Sequence, residues 1–176
     1  MLSNSNSEDS SPPARRSLLS RWYVRAPIEV AVILILWYFV IQVRPTSGAS
    51  MLPALADGAH VFVDKLSYRF REPARGDVII FRSNEEPPML FCKRAIGLPK
   101  EIIEIRSGQV YINEVPLYEP YIISSTFWEL PPTRIGEQQV YAVGDNRGMA
   151  MVSHFQGLVA YRNILGRLIG EGREYQ

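Results

Sequence analysis

Hydrophobic and polar positions follow two patterns along the chain, first a continuous apolar run and then an alternation. Residues 26–43 are apolar except for Pro27, Glu29 and Gln42, and this run is near the lower limit for crossing a hydrocarbon layer of about 30 Å. Beyond this run, apolar and polar side chains mostly alternate, which is typical of half-buried β-strands. The sequence therefore predicts one transmembrane helix over residues 26–43 and a mainly β domain over residues 44–176.

The strand patterns of the β domain are short and of two kinds. Some segments alternate, whereas others are more continuously apolar, as expected of strands covered on both faces. The alternating segments are 60–64, 101–105 and 109–113, and the continuous ones are 77–81 and 89–96. Ser107-Gly108 predicts a hairpin turn between two of them. Three prolines within residues 118–136 predict an excursion from the core. The expected fold is an antiparallel β-sheet domain.

Residues 1–25 combine a polar start with a basic flank. Residues 1–14 are rich in Ser, Asn and Pro, and they have too few apolar groups to order themselves, which predicts a disordered tail. Four arginines precede the apolar run and one, Arg44, follows it closely. Because basic residues favour the cytoplasmic side, this asymmetry predicts a cytoplasmic N-terminus. The β domain is then expected on the other side of the bilayer, in a periplasm, outside the cell or in an organelle lumen.

A cleaved signal peptide is the rival interpretation of the N-terminal region. The uninterrupted core Val30–Ile41 has the length of a signal-peptide apolar region, and Ser47-Gly48-Ala49 resembles a small-residue cleavage site. The long tail before the core and the Arg44-Pro45 pair after it favour a retained helix instead. The β domain is exported under either interpretation.

Composition excludes some functions and draws attention to one residue. The 19 basic and 18 acidic side chains give a net charge of +1, which does not indicate nucleic-acid binding. Cys92 is the only cysteine, so the chain has neither an intrachain disulfide nor a CxxC metal or redox site. The chain has only three lysines, and one of them, Lys93, falls within the apolar segment 89–96.

Ser50 and Lys93 are the candidate reactive pair. A serine hydroxyl is a weak nucleophile at neutral pH and needs a base, and a lysine that is desolvated among apolar neighbours can lose its proton and act as that base. The more common hydrolase arrangement would combine Ser50 with His154 and Asp145. However, the G-x-S-x-G sequence of a nucleophile elbow does not surround Ser50.

Five ordered stretches resemble the type I signal peptidases, which are membrane-bound serine proteases that remove signal peptides from exported proteins. The ordered set is specific, although each stretch alone is weak, and it extends over most of residues 45–157. The stretches are Gly48-Ala49-Ser50-Met51-Leu52-Pro53-Ala54-Leu55, Arg75-Gly76-Asp77-Val78-Ile79-Ile80-Phe81, Lys93-Arg94-Ala95-Ile96-Gly97-Leu98-Pro99, Tyr111-Ile112-Asn113 and Gly144-Asp145-Asn146-Arg147.

The resemblance implies a serine endopeptidase that acts through an acyl-enzyme. Ser50 would be the nucleophile and Lys93 the general base, and the backbone N–H of Ser50 would bind the oxyanion. Gly48 and Met51 are weaker candidates for the oxyanion and substrate site. The partners expected are signal peptides of exported preproteins and the lipid bilayer, without nucleic acid, and neither a metal nor an organic cofactor is expected.

Three residues depart from the family pattern. Ala150 stands where a serine usually hydrogen-bonds the lysine, and Val152 and His154 stand where the family has an ion pair. These changes leave open an alternative, a catalytically weak or silent membrane protein that binds signal-peptide segments. Self-cleaving repressors also use Ser and Lys, but they do not fit the membrane anchor. Mitochondrial processing peptidases are closer relatives, which the sequence separates poorly from bacterial or plastid enzymes.

Overall fold

The computed structural model describes residues 22–124, 126–153 and 155–169. Most of the tail predicted over residues 1–25 lies outside this range, as does His154. The chain divides into two compact units between Trp37 and Tyr38.

Helix α1 runs from Trp22 to Val40, so both bounds of the predicted helix over residues 26–43 were wrong. Residues 41–43 instead belong to a strand, because their backbone is extended and pairs with the next strand of the chain. Among the described residues, none of the helices has the length and apolar character needed to cross a membrane.

Seven antiparallel strands form the larger sheet, in the order β1-β2-β11-β3-β4-β9-β10. β1 and β2 are consecutive, whereas β11, the last strand of the chain, lies between β2 and β3. Gly166 allows this close approach, because a Cβ at this position would overlap the carbonyl oxygen of Asp64 in β2. The strands are β1 Ile41–Pro45, β2 His60–Asp64, β3 Val78–Arg82, β4 Leu90–Gly97, β9 Gln139–Val143, β10 Gly157–Ala160 and β11 Ile164–Ile169.

The smaller sheet has four antiparallel strands in the order β7-β6-β5-β8. Its strands are β5 Ile102–Arg106, β6 Gln109–Ile112, β7 Val115–Pro116 and β8 Leu130–Arg134. Ser107 and Gly108 both have positive φ, 48° and 81°, which is the backbone of a tight hairpin turn. The hairpin and the antiparallel fold class predicted from the sequence are confirmed.

The excursion predicted over residues 118–136 was wrong for its second half. Trp128 and Ile135 are buried in a core cluster, and Pro131 and Pro132 lie within β8. β8 is an edge strand of the smaller sheet, where the missing N–H groups of proline are tolerated. The prolines therefore mark an edge of the sheet rather than a departure from it.

Apolar residues from β2, β3 and β11 form the core cluster beneath the candidate nucleophile. The buried members of this cluster are Met51, Val61, Val63, Val78, Ile80 and Leu168. Met51 directly follows Ser50 in the chain, and its side chain is only 4% exposed. Burial of Met51 therefore attaches the residue next to Ser50 to the sheet.

Candidate active site

Ser50 lies in the loop that joins β1 to β2. The base of this loop is closed by the pairing of Pro45 with His60 and by two backbone hydrogen bonds, from the Thr46 N–H to the Ala59 carbonyl at 2.8 Å and from the Gly58 N–H to the Thr46 carbonyl at 2.9 Å. The two strands therefore hold both ends of the loop, and Ser50 has a defined position above the sheet.

Gly48 and Asp57 shape the same loop. Gly48 has φ +95°, a conformation that favours glycine, and its N–H donates to the Asp57 Oδ1 at 2.8 Å. A Cβ built at Gly48 has no neighbour within 4 Å. The Gly48 N–H is thus already engaged, and this residue contributes open space rather than a donor.

Lys93 approaches Ser50 from β4, and its Nζ is within hydrogen-bonding contact of the Ser50 Oγ. The two residues are 43 positions apart in the chain, so the sheet brings them together. Lys93 is only 2% exposed. The structure therefore places the two residues that the sequence selected side by side, with the lysine almost fully buried.

Burial lowers the pKa of Lys93 to about 8, and the smaller effects of Cys92 and Asp145 act in the opposite direction. Burial has this effect because transfer from water disfavours the charged form of an amine. A substantial fraction of Lys93 is consequently neutral at mildly alkaline pH, and only the neutral amine can accept a proton from a hydroxyl.

A pocket of about 250 Å³ opens onto this pair. Gly48, Ser50, Met51 and Lys93 all line it, so the structure brings together the four candidate site residues. Much of the remaining wall is apolar and includes Leu90 and other side chains of the sheet. Met51 is mainly a core residue that contributes to the pocket wall.

Asn146 is a residue of the site that the sequence interpretation did not select. Its Nδ2 donates to the Ala49 carbonyl at 3.0 Å, and its backbone N–H donates to the Ser50 carbonyl at 3.1 Å. Asn146 therefore holds the nucleophile loop at two successive peptide groups. The motif Gly144-Asp145-Asn146-Arg147 marked the segment, but spacing does not reveal which carbonyls an amide contacts.

Two buried ion pairs support the segments around the dyad. Arg94, next to Lys93, forms a fork with Asp145 through contacts of 2.9 and 2.6 Å. Arg147 pairs with Glu119 at 2.7 Å, and Glu119 was not anticipated from the sequence. Asp145 and Arg147 are each 1% exposed, so both charges depend on their partners for stabilisation.

A family model described as signal peptidase, peptidase S26, matches residues 19–170. This chain belongs to that family. The resemblance found in the sequence is confirmed, and so is the expectation of a serine endopeptidase that removes signal peptides. The silent binding protein is not favoured.

Individual relatives of this peptidase come from cyanobacteria and plants. A probable signal peptidase I-1 of Synechocystis sp. is 35% identical over 149 residues, which cover 81% of this chain and 76% of the relative. A signal peptidase I of Leptolyngbya laminosa is 39% identical over 138 residues, which cover 74% of this chain and 68% of the relative. Thylakoidal processing peptidase 1 of Arabidopsis thaliana is 30% identical over 135 residues, which cover 69% of this chain and 39% of the plant protein. A crystal structure of a signal peptidase I from Enterococcus faecalis V583 aligns at 28% identity with a TM-score of 0.46, covering 56% of this chain and 98% of that chain.

Two of the three departures from the family pattern, Ala150 and Val152, fall at exposed positions of the peptidase. Ala150 is exposed, and Val152 is 96% exposed. The position that the family pattern gives to one member of an ion pair is thus a solvent-exposed apolar residue in this chain, and the position of the other member, His154, lies outside the described residues. Ser50 is the hydrogen-bond partner of Lys93 within the described part of the chain.

We expect Asp145→Ala to lower the free energy of unfolding of the peptidase by about 3–5 kcal/mol, because it leaves the buried Arg94 guanidinium without its carboxylate. Urea unfolding at neutral pH measures this loss. Glu137→Ala is the matched control, since it removes a carboxylate that is 81% exposed and lies 3.5 Å from Lys100. Equal, small effects of the two substitutions would contradict the structural importance of the buried pair.

We expect Asn146→Ala to lower kcat about tenfold with little change in KM, because the Ala49 carbonyl loses its donor and the Ser50 hydroxyl becomes less well oriented. Steady-state cleavage of a fluorogenic signal-peptide substrate separates the two constants. Asn163→Ala removes a comparable amide hydrogen bond, of 2.8 Å to Asn84, at the surface, and should leave kcat unchanged. An unaltered kcat in Asn146→Ala would argue against this positioning role.

Proposed function

We propose that Ser50 is the nucleophile and Lys93 the general base with which this signal peptidase cleaves preproteins. The observation that carries the proposal is the contact between the Ser50 Oγ and the Nζ of a lysine that is only 2% exposed. Burial favours the neutral amine, and contact at hydrogen-bonding distance allows direct proton transfer.

In acylation, the Ser50 Oγ attacks the scissile carbonyl carbon while its proton passes to the Lys93 Nζ. The carbonyl oxygen becomes an oxyanion as the new Oγ–C bond forms. When this tetrahedral intermediate collapses, the C–N bond breaks and protonated Lys93 returns its proton to the departing amine. The mature protein leaves with a free N-terminus, and the signal peptide remains as an ester on Ser50.

In deacylation, neutral Lys93 takes a proton from a water molecule, whose oxygen attacks the ester carbonyl. Collapse of the second intermediate breaks the C–Oγ bond, and Lys93 returns the proton to the Ser50 oxygen. The signal peptide then leaves with a free carboxylate. One amine thus serves both half-reactions, and it returns to its neutral form after each.

The oxyanion requires donors that are in place before the reaction. The backbone N–H of Ser50 is our first candidate, since it makes no hydrogen bond within residues 22–124, 126–153 and 155–169. The Gly48 N–H is directed to Asp57, so we assign Gly48 the role of leaving room for the substrate carbonyl. Met51 supports the pocket from the core side.

We also propose that this peptidase is attached to a membrane in a defined orientation. We place the N-terminus in the cytoplasm and the β domain on the opposite side, with the apolar residues around 26–43 in contact with the bilayer. Exposure supports this placement, because the side chains of Ile33, Leu34 and Trp37 are 58–63% exposed. Resistance to carbonate extraction, together with protease protection of tags on each terminus, tests attachment and orientation separately.

The pH dependence of cleavage tests the proposed base. Because burial lowers the pKa of Lys93 to about 8, we expect kcat/KM to rise about tenfold per pH unit below pH 8 and to level off above it. The measurement uses the full chain in neutral detergent and an exported preprotein as substrate, with the cut located by sequencing the new N-terminus. A rate that is flat between pH 6 and 9 would exclude titration of Lys93 as the controlling event.

A further inference from the structure

A second cavity, of about 600 Å³, shares no lining residue with the active-site pocket. Lys65 and Arg69 lie on its wall together with aliphatic and aromatic side chains. A cavity of this size holds a headgroup and the first methylenes of an amphiphilic molecule.

The cations of this cavity have no carboxylate partners of their own. Lys65 and Arg69 are exposed, and in the part of the chain that the structure describes neither lies within 4.0 Å of an acidic oxygen. The neighbouring cations differ, since Arg71 pairs with Asp77 at 2.9 Å and Arg167 contacts Asp64 at 3.4 Å. Positive charge is therefore in excess on this wall, and it is available to an anion.

The rest of the cavity wall is largely apolar. Val40, Leu66, Ile164 and Leu165 line the same cavity, which gives hydrocarbon a surface to contact. Tyr161 also faces it, with its hydroxyl beside the carboxylate of Glu72. The cavity thus offers two cations beside an aliphatic and aromatic surface, a combination that matches an anionic amphiphile better than a free ion.

Strand register places this cavity next to Val40 and Ile41, where the chain passes from helix α1 into β1. Asp64 pairs with Ile41, the first residue after the helix, and the Lys65 N–H donates to the Val40 carbonyl at 3.0 Å. Phe70, next to Arg69 in the chain, is 81% exposed. A helix end, adjacent basic residues and a protruding aromatic ring are the features of a protein surface in contact with lipid headgroups.

We propose that this cavity binds the headgroup of an anionic phospholipid. Lys65 and Arg69 bind the phosphate, and the aliphatic wall contacts the first methylenes of the acyl chains. The proposal rests on the membrane attachment of the proposed function, but it involves no catalytic residue. It assigns to the β domain a lipid contact that is independent of the N-terminal helix.

Binding of short-chain lipids to the full chain tests the proposal without a bilayer. The protein is held in neutral maltoside micelles, and calorimetry follows titration with dihexanoyl phosphatidylglycerol. Dihexanoyl phosphatidylcholine has the same chains without net charge, and glycerol phosphate supplies the anion without chains. We expect measurable binding of the phosphatidylglycerol and at least about tenfold weaker binding of the other two.

The variant Lys65→Gln/Arg69→Gln should weaken phosphatidylglycerol binding about 25-fold, from about fivefold for each cation. Lys100→Gln/Arg134→Gln is the matched control, because it removes the same charges from another surface hollow, of about 370 Å³, and should bind like the parent. Unchanged affinity in the first variant would overturn the site. Equal affinity for phosphatidylcholine would overturn the charge recognition, and equal affinity for glycerol phosphate would indicate a free-anion site instead of a lipid site.

Preprotein cleavage in the same micelles separates this proposal from the proposed function. Lys65→Gln/Arg69→Gln should cleave at the parent rate, because neither residue lines the pocket of Ser50. A parent that binds phosphatidylglycerol but does not cleave would disprove the function and leave the lipid site standing. The reverse result, cleavage without selective lipid binding, would disprove the lipid site alone. Thermal unfolding confirms that each variant is folded before it is scored.

Discussion

Ser50→Ala should reduce kcat/KM for preprotein cleavage by at least about 10⁴-fold, because it removes the atom that forms the acyl-enzyme. Binding of the substrate should be largely retained, since the pocket of about 250 Å³ keeps its remaining walls. Single-turnover cleavage of a labelled preprotein measures the loss, and equilibrium binding of the same substrate to the variant measures the retained affinity.

Ser153→Ala is the matched control for this experiment. Ser153 is exposed and lies outside the pocket, so its replacement should leave cleavage at the parent level. If Ser50→Ala retained cleavage within tenfold of the parent, another group would have to be the nucleophile, and the proposed acyl-enzyme on Ser50 would be wrong.

Lys93→Met should abolish cleavage to a similar extent and at the same time stabilise the fold near neutral pH. The pKa of Lys93 falls from 10.5 in the unfolded chain to about 8 in the folded one. The folded protein therefore binds fewer protons than the unfolded chain between these two values, and its stability rises with pH across that window. Below pH 8 the full cost of the buried ammonium is present, on the order of 3 kcal/mol.

Unfolding by guanidinium at a series of pH values measures this effect. We expect Lys93→Met to be more stable than the parent by up to about 3 kcal/mol at pH 7, and the difference to vanish as the pH approaches 10.5. Lys100→Met serves as the control, because the Lys100 side chain is 70% exposed and its replacement should leave the pH profile unchanged. A destabilised Lys93→Met at pH 7 would mean that burial of the ammonium does not lower the pKa of Lys93.

The reactive pair was predictable because each of its two residues stands out within its own short segment of the sequence. A serine in a family motif and a rare lysine inside an apolar strand are both visible without coordinates, and the structure brings Ser50 and Lys93 into contact. Their catalytic roles stay predictions that the two substitutions above would test. The antiparallel β fold was also predictable, since period-two alternation is directly readable.

The errors arose where tertiary contacts decide the outcome. Pro131 and Pro132 indicated a loop, but an edge strand accepts them because its outer N–H groups need no partner. The helix was extended to residue 43 because apolar residues suit both helix and strand, and pairing with β2 selects the strand. Asn146 and Glu119 were missed because a polar residue in a loop does not reveal its hydrogen-bond partner until the chain is folded.

The position of β11 has a consequence for the order in which the sheet is assembled. The hairpin that carries Ser50 and the strand that carries Lys93 are joined within the sheet through β11 and β3, and β11 is the last of the described strands to be synthesised. Without this strand, the contacts of Asn146 with Ala49 and Ser50 still tie the nucleophile loop to the segment that follows β9. The continuous sheet that carries both Ser50 and Lys93 is therefore complete only once β11 has been added.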